Sequence, residues 1–349
     1  MRNRWWTAGV VTVLLAAGAG CAHRQTVPLA LQAFSVGQGS PLVMIGGGTR
    51  GAAEFLPHAQ VLAKEFRVVR LQTLNVARSE KREALPEPYS IKVESAAMAA
   101  SLDRLGLTGP IDLVGHSFGA LVALDFALDH PDRVHTLTLA EPPAFWVVPP
   151  DELRASPDMW RMYELTRAFV PSAEPTEEQI VQFRCLLGDC GIKVPDRADP
   201  GWEDWERRRA ALRGLAAVPN HRDDPSRLRQ FRRPVLIMTG STTVPFHRRI
   251  DDILANSLPM AETEELTGGH GAPAAARDEF IAKLRAFIAR HEGSRGISSA
   301  ARPSCRSAHL LPGTWPAYPK SPLSPRVAKI WSGSPGDTHP RSRRTRSWP

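Results

Sequence analysis

A serine, a histidine and a glutamate in this chain have the neighbours that nucleophilic catalysis requires. Ser117 stands in Gly115-His116-Ser117-Phe118-Gly119, which has the spacing G-x-S-x-G. The apolar run at residues 111–114 predicts a strand before it, and residues 118–128 predict a helix after it. A serine on a sharp strand-to-helix turn projects its Oγ into solvent, and a Cβ at the flanking glycines would collide with neighbouring backbone. Ser117 is therefore the predicted nucleophile.

The predicted general base is His270, because a serine hydroxyl attacks well only when a base removes its proton. His270 lies in a glycine-rich loop, between a predicted strand at residues 261–267 and an amphipathic helix at residues 276–290. A histidine at the end of the last strand can reach back over the edge of the sheet. His116 is nearer in sequence, but its side chain is expected to point into the turn, so we interpret it as structural.

The carboxylate that orients the histidine is predicted at Glu141. This residue directly follows the strand predicted at residues 134–140, at the carboxyl edge of the sheet where the sites of such folds gather. The strand that ends at Gly240 is followed by four residues without a carboxylate, and Asp251 and Asp252 are expected on the exposed face of a helix. The acid only has to lie near Nδ1 of the histidine, whichever strand supplies it. A serine–histidine dyad without an acid is the alternative.

The backbone N–H groups of Gly48 and Phe118 are predicted to form the oxyanion hole, which stabilises the negative charge that develops when serine attacks a carbonyl. Phe118 directly follows the nucleophile. Gly48 lies in a glycine-rich loop after an early strand, with Thr49 as the neighbouring alternative. The same loop fits the G-x-G-x-x-G pattern of dinucleotide sites, but the next strand ends in Gln72 and not in the acid that binds a ribose.

In this order of motifs the chain resembles the α/β-hydrolase superfamily over residues 28–290. The order is strand, oxyanion loop, strand, helix, serine elbow, strand, inserted helices, strand, helix, strand, histidine and helix. The resemblance implies an α/β fold with a doubly wound, mostly parallel sheet, built from residues 28–141 and 234–290. It also implies an α-helical lid at residues 142–233 and a Ser-acid-His triad. The family's oxyanion loop often begins His-Gly, whereas this chain has Gly46-Gly47.

The inserted segment is predicted to be helical at residues 151–169, 176–187 and 202–215. It is rich in aromatic residues, most of which are expected to seat the lid on the core, while a few line an apolar acyl pocket beside the serine. Cys185 and Cys190 lie close together in it and are either joined in a disulfide or reduced. Metal binding is not expected, because two thiols do not complete a tetrahedral site.

The first 21 residues are typical of an export leader. Two arginines precede an uncharged apolar stretch and the sequence Ala19-Gly20-Cys21. This junction looks like a bacterial lipoprotein cleavage site, in which Cys21 is acylated and becomes the mature N-terminus. We therefore expect export to the bacterial cell envelope with membrane attachment through lipidated Cys21. Ordinary signal-peptide cleavage nearby and an uncleaved anchor are the alternatives.

The C-terminal segment, residues 291–349, has a composition unlike that of the rest. It is rich in Ser, Pro and Arg and carries ten basic residues against two acidic ones, which accounts for the whole net charge of +8. Such a tail cannot bury enough apolar surface to fold. A basic tail can touch anionic lipid or nucleic acid, but we interpret it as non-functional and expect no nucleic-acid partner.

These observations predict a serine hydrolase that cleaves an ester, thioester or lactone through an acyl-enzyme. Its partner is a small-molecule substrate with an apolar acyl group, and it needs no metal or organic cofactor. Serine at the elbow argues against relatives that use aspartate there, the haloalkane dehalogenases and epoxide hydrolases. Carbon–carbon bond hydrolysis and cofactor-free haloperoxidase chemistry are alternatives on the same residues. A non-catalytic, ligand-binding envelope lipoprotein is the alternative from a different class, supported only by the missing acid after Gly240.

Overall fold

The computed structural model describes residues 29–293. The predicted leader with Cys21 and residues 294–349 of the predicted tail lie outside the described residues. Within 29–293, no helix combines the length and the apolar character needed to cross a membrane.

A mostly parallel sheet of seven strands forms the centre of the fold. In chain order the strands are β1 (Gln32–Val36), β2 (Ser40–Ile45), β3 (Phe66–Gln72), β4 (Ile111–His116), β5 (Val134–Ala140), β6 (Val235–Gly240) and β7 (Ala261–Leu266). Across the sheet they are arranged β1-β3-β2-β4-β5-β6-β7. Among these strands only β1 runs antiparallel to its neighbour, and the others run parallel. The carboxyl ends of the parallel strands therefore meet at one edge, as the predicted fold requires.

Helices cover both faces of this sheet. Those that flank it are α1 (Leu56–Leu62), α2 (Leu74–Glu80), α3 (Ile91–Arg104), α4 (Phe118–Asp129), α11 (Pro245–Ser257), α12 (Ala272–Ala275) and α13 (Arg277–His291). Side chains on α1 and α13 pack with Leu42 and Met44 of β2 on one face. Side chains on α3, α4 and α11 pack with Val43 and Ile45 on the other. Because both faces are covered, the central strands β4, β5 and β6 are buried at every position.

The predicted strands and the C-terminal helix agree with the structure to within two residues at most ends. β3 and β5 have the predicted bounds, and α13 ends at His291, one residue inside the segment predicted as tail. β1 was not predicted, because it is a half-exposed edge strand with little apolar pattern.

The segment between β5 and β6 is helical, with bounds that differ from those predicted. It contains α5 (Pro150–Ala155), α6 (Pro157–Arg167), α7 (Glu177–Leu186), α8 (Trp202–Ala211), α9 (Ala217–Asn220) and α10 (Pro225–Gln230). The single helix predicted at 151–169 was wrong: it breaks at Ser156, because Pro157 lacks an N–H and disfavours helical backbone in the residue before it. Cys185 and Cys190 are joined in a disulfide.

Candidate active site

Ser117 occupies a strained turn between β4 and α4. Its backbone φ of 52° lies in the left-handed region, which costs a non-glycine residue about 1–3 kcal/mol. A Cβ at Gly115 would lie 2.4 Å from the Ala120 Cα, and one at Gly119 would lie 2.4 Å from the Gly46 carbonyl oxygen. The prediction that only glycine fits beside this serine is therefore confirmed.

The structure brings the three predicted catalytic side chains together. His270 Nδ1 lies 2.7 Å from Glu141 Oε2, and His270 Nε2 lies 3.0 Å from Ser117 Oγ. An ionised carboxylate can only accept, so Nδ1 carries the proton and donates it to Glu141. Nε2 is then left as an acceptor for the hydroxyl of Ser117. The histidine is in the tautomer in which it can take the serine proton.

Glu141 is held as an anion at the end of β5. Its backbone φ is 47°, a second strained position at this edge of the sheet. Besides His270, its carboxylate accepts from the Gly240 N–H at 2.8 Å and from the Thr243 hydroxyl at 2.9 Å. Burial alone would raise the pKa of Glu141, but the hydrogen bond and charge of His270 and the other donors hold it well below its usual range.

Asp251 is buried, which corrects the expectation that it lies on an exposed helical face. It is 3% exposed, and the hydroxyl of Thr239 donates to its Oδ2 at 2.6 Å. Burial raises the pKa of Asp251 well above its ordinary value. Asp252 is exposed, as expected.

The two predicted oxyanion donors are neighbours in the structure. α4 begins at Phe118, whose N–H therefore has no partner within the helix. A Cβ at Gly48 would lie 3.1 Å from the Phe118 Cβ, which places the two backbones side by side. The N–H of Gly47 donates to Glu54 Oε2 at 2.6 Å and is thereby occupied, while the side chain of Asn75 fixes the Gly48 carbonyl at 2.7 Å. The N–H of Gly47 is therefore not available to an oxyanion, and Gly48 remains the predicted donor of this loop.

A family model of the alpha/beta hydrolase fold matches residues 40–273, which is most of the chain. The chain belongs to the alpha/beta hydrolase family. It is 27% identical over 273 residues to “Putative carbamate hydrolase RutD” of Caulobacter segnis, over 72% of this chain and 92% of that protein. This alpha/beta hydrolase is therefore a hydrolytic enzyme, as predicted.

Solved structures of the same family share the fold. A hydrolase from Pseudomonas aeruginosa PA01 has a TM-score of 0.52 at 21% identity, over 73% of this chain and 93% of that one. The enol-lactonase from Burkholderia xenovorans LB400 has a TM-score of 0.51 at 18% identity, over 74% and 96%. At these identities the likeness extends to the fold alone.

A narrow apolar pocket opens beside Ser117 and His270. About 350 Å³ of empty space lies among its side chains. The core and the inserted segment both contribute apolar lining residues, namely Phe118, Pro143, Phe145, Met162, Phe183, Leu187, Leu215, Val218 and Phe246. Of the aromatic residues in the inserted segment, Phe145 and Phe183 line the pocket.

Two buried histidines border the triad without contacting the serine hydroxyl. The ring of His247 stacks on that of His270 at 4.5 Å between centroids and lines the pocket. Burial, with the nearby charge of His270, lowers the pKa of His247 to about 3, so it is neutral at pH 7. His116 turns its ring nitrogens toward Glu54 and the His270 carbonyl, which agrees with its interpretation as a residue of the turn. No sequence motif marks His247 or Glu54 as residues of the site.

Among the described residues, two groups of side chains have ligand atoms close enough together for a metal ion, and one of these groups shares Glu141 and His270 with the triad. Glu141, His247 and His270 each offer one such atom, all within 4.8 Å of one another. Three protein donors already occupy the Glu141 carboxylate. The second group contains Asp125, which already lies 2.8 Å from the ammonium of Lys92. A metal ion in either place would have to displace these partners.

Proposed function

We propose that this enzyme is a serine hydrolase that cleaves an ester, thioester or lactone with an apolar acyl part. The observation that carries the proposal is the unbroken chain of hydrogen bonds from Ser117 through His270 to Glu141, at the mouth of an apolar pocket. In this proposal Ser117 is the nucleophile, His270 the base and then the acid, and Glu141 the group that orients the imidazole.

In the first half-reaction the Ser117 oxygen attacks the carbonyl carbon while His270 Nε2 takes its proton. Glu141 holds the Nδ1–H and stabilises the imidazolium that results. The N–H groups of Gly48 and Phe118 donate to the oxyanion, in a setting where little solvent competes. The imidazolium then protonates the leaving alcohol or thiol, and the acyl group stays on Ser117.

In the second half-reaction water replaces the leaving group. His270 Nε2 takes a proton from the water as its oxygen attacks the acyl-enzyme, and the carboxylic acid leaves when Ser117 recovers its hydrogen. In this mechanism the acyl part lies against Phe145 and Phe246 of the pocket. Segment 142–233 then acts as the predicted lid, since its residues Phe145, Met162, Phe183 and Leu187 line the pocket.

The test is labelling with a fluorophosphonate probe, followed by turnover of nitrophenyl esters of increasing acyl length. We expect stoichiometric labelling at Ser117 and hydrolysis of esters with short to medium acyl chains. A carbamate and an enol-lactone belong in the same panel, because relatives carry those names. Turnover of a carbon–carbon substrate or halogenation with peroxide, without esterase activity, would replace the proposed reaction with one of the alternatives on the same residues. Absence of both labelling and turnover would favour a ligand-binding protein.

Export with lipidation at Cys21 is part of the proposal and rests on the order of charged, apolar and small residues before that cysteine. Expressed in a bacterium with its leader, the protein should partition with the membrane fraction, and Cys21→Ser should release it. Recovery of the wild type in the cytoplasm with Met1 still attached would contradict this.

A further inference from the structure

We infer that Glu54 and His116 form a buried ion pair that positions the oxyanion loop and the loop of His270 for the reaction. The inference rests on the proposed function, because it assigns a role in the same serine-dependent chemistry. Neither residue lines the pocket, and Ser117 Oγ is paired with His270 and not with either of them, so both are positioning residues.

The pair joins three separate segments of the chain. Glu54 Oε2 accepts from the N–H of Gly47 at 2.6 Å, and its Oε1 lies 2.5 Å from His116 Nδ1. His116 Nε2 donates to the backbone carbonyl of His270 at 2.8 Å. Gly47 precedes the oxyanion donor Gly48, and His116 precedes the nucleophile Ser117. One carboxylate and one imidazole thus tie the oxyanion loop, the elbow and the base together.

The contacts of His116 require a proton on each ring nitrogen. Nε2 faces a carbonyl, which only accepts. Nδ1 lies 2.5 Å from an oxygen of the Glu54 carboxylate, and two unprotonated acceptor atoms at that distance would repel each other. Burial alone would raise the pKa of Glu54, but the neighbouring His116 and the N–H of Gly47 lower it to about 2. We therefore assign the pair as a carboxylate and an imidazolium.

Burial opposes a charge on His116, but its neighbours favour that charge and raise its pKa. Glu54 is the partner, and the anionic Glu141 also attracts the imidazolium. Arg50, His58, His247 and His270 are the other charged or titratable groups that face the pair, and His58 and His247 are neutral at pH 7. Glu54 and His116 are 6% and 5% exposed, so water does not replace their mutual contacts.

A buried ion pair restricts where the groups bonded to it can lie, and catalysis depends on that placement. A buried ion pair adds little to stability compared with apolar packing, but it fixes where its hydrogen-bond partners lie. Displacing an oxyanion donor or a base by about 1 Å can cost about 10²-fold in rate. Loss of the Glu54–His116 charge should therefore appear in kcat and leave substrate affinity nearly unchanged.

The experiment compares Glu54→Gln and His116→Gln with a matched pair elsewhere in the chain. At the amino end of β4 and β5, Asp112 Oδ1 lies 2.6 Å from His135 Nδ1, and His135 Nε2 lies 3.0 Å from the His291 carbonyl. This is the same carboxylate–imidazole–carbonyl arrangement, at the edge of the sheet opposite the site. Asp112→Asn therefore removes an equivalent buried carboxylate–imidazole contact at a place far from the catalytic residues. The double variant Glu54→Gln/His116→Gln removes both charges together.

All variants are assayed as folded proteins, below their unfolding temperatures, for kcat, KM and the rate of fluorophosphonate labelling. We expect Glu54→Gln and His116→Gln to lose about 10- to 100-fold in kcat with KM within about threefold of wild type. Asp112→Asn should lose stability and keep its kcat. ¹⁵N NMR at pH 8 should show His116 with both ring nitrogens protonated in the wild type, but not in Glu54→Gln.

Several outcomes would overturn the inference. A neutral His116 at pH 8, or unchanged kcat and labelling rates in folded Glu54→Gln and His116→Gln, would remove the positioning role. Failure of the single and double variants to fold, while Asp112→Asn folds, would reduce the pair to a structural one. A wild type that is neither labelled nor active would instead refute the proposed function, which keeps the two failures distinct.

Discussion

His270 Nδ1 lies 2.7 Å from the carboxylate of Glu141, although 129 positions separate the two residues in the chain. The sheet brings them together, because β5 and β7 flank β6 and all three end at the same edge. The carboxylate of Glu141 also accepts from the N–H of Gly240, the last residue of β6. An acid at the end of β5 therefore reaches the histidine across β6, the strand after which no carboxylate follows.

The first prediction concerns the charge of Glu141. Glu141→Gln should keep the shape of the site but remove the group that holds the Nδ1–H and stabilises the imidazolium. We expect kcat to fall by up to about 10⁴-fold, by analogy with the asparagine substitution in the serine protease triad. The measurement is steady-state turnover of a nitrophenyl ester at pH 7 to 8, with KM determined separately.

The matched control is Asp251→Asn. Asp251 is buried, burial raises its pKa, and it accepts a hydrogen bond from Thr239; asparagine has nearly its shape and can accept that bond. This variant should keep kcat within a few-fold of wild type. Similar losses in both variants would show that any buried polar change near the site impairs the enzyme, and would remove Glu141 from the triad.

The contrast between Glu141 and Asp251 shows what the sequence could predict. Glu141 was found because it directly follows a buried strand, and parallel strands end at the same edge. Asp251 was misplaced because an acid was assumed to face solvent, although His247, Ile250 and Leu254 lie on the same buried face of α11 at helical spacing. That spacing could have revealed its burial. Its hydrogen-bond partner, the Thr239 hydroxyl, lies on a neighbouring strand. A contact between two separate elements depends on tertiary packing and could not be predicted from the sequence around either residue.

The second prediction concerns the nucleophile and the base. Ser117→Ala and His270→Ala should each lower kcat by several orders of magnitude, because members of a triad act as a unit. The double variant should lose little more than either single variant. Turnover and circular dichroism are measured together, so that loss of activity is separated from loss of fold. Full fluorophosphonate labelling of Ser117→Ala would exclude Ser117 as the nucleophile.

The residues around Ser117 and His270 show which parts of the site the sequence could predict and which it could not. Ser117, His270, Gly48 and Phe118 were recognised because short motifs and strand ends mark them. Glu54 and His247 carry no such mark: each is a polar residue inside or beside a helix. Their burial follows from contacts with segments more than 20 residues away. Only the assembled sheet brings those segments together.

The third prediction concerns acid stability and His58. This side chain is 1% exposed, donates to the Pro273 carbonyl at 2.7 Å and packs edge-on against Phe55 and Phe280. Burial lowers its pKa from 6.5 to about 4, so the folded state binds the proton more weakly than the unfolded state. Its contribution to stability is therefore complete above pH 6.5 and is lost as the pH falls toward 4. The loss amounts to about 3 kcal/mol at most.

Urea unfolding of wild type and His58→Gln between pH 7 and pH 4 tests this. Glutamine keeps a donor for the Pro273 carbonyl but does not ionise in this range. The free energy of unfolding of the wild type should fall faster with decreasing pH, so the difference between the two proteins should shrink by up to about 3 kcal/mol. A difference that stays constant across this range would contradict the prediction.

The fourth prediction concerns the width of the acyl pocket. Phe183 of α7 lines the narrow space beside Ser117, whereas Val181 of the same helix faces a separate groove on the outer surface. Phe183→Ala should let longer acyl chains enter, since one methylene accommodated in an apolar pocket is worth about 1–3 kcal/mol of discrimination. We expect the ratio of kcat/KM for an octanoyl ester to that for a butyryl ester to rise by at least about tenfold. Val181→Ala is the control and should leave this ratio unchanged. An equal change of this ratio in both variants would mean that loosening α7, and not widening the pocket, changes the specificity. An unchanged ratio in Phe183→Ala would mean that the acyl chain binds elsewhere.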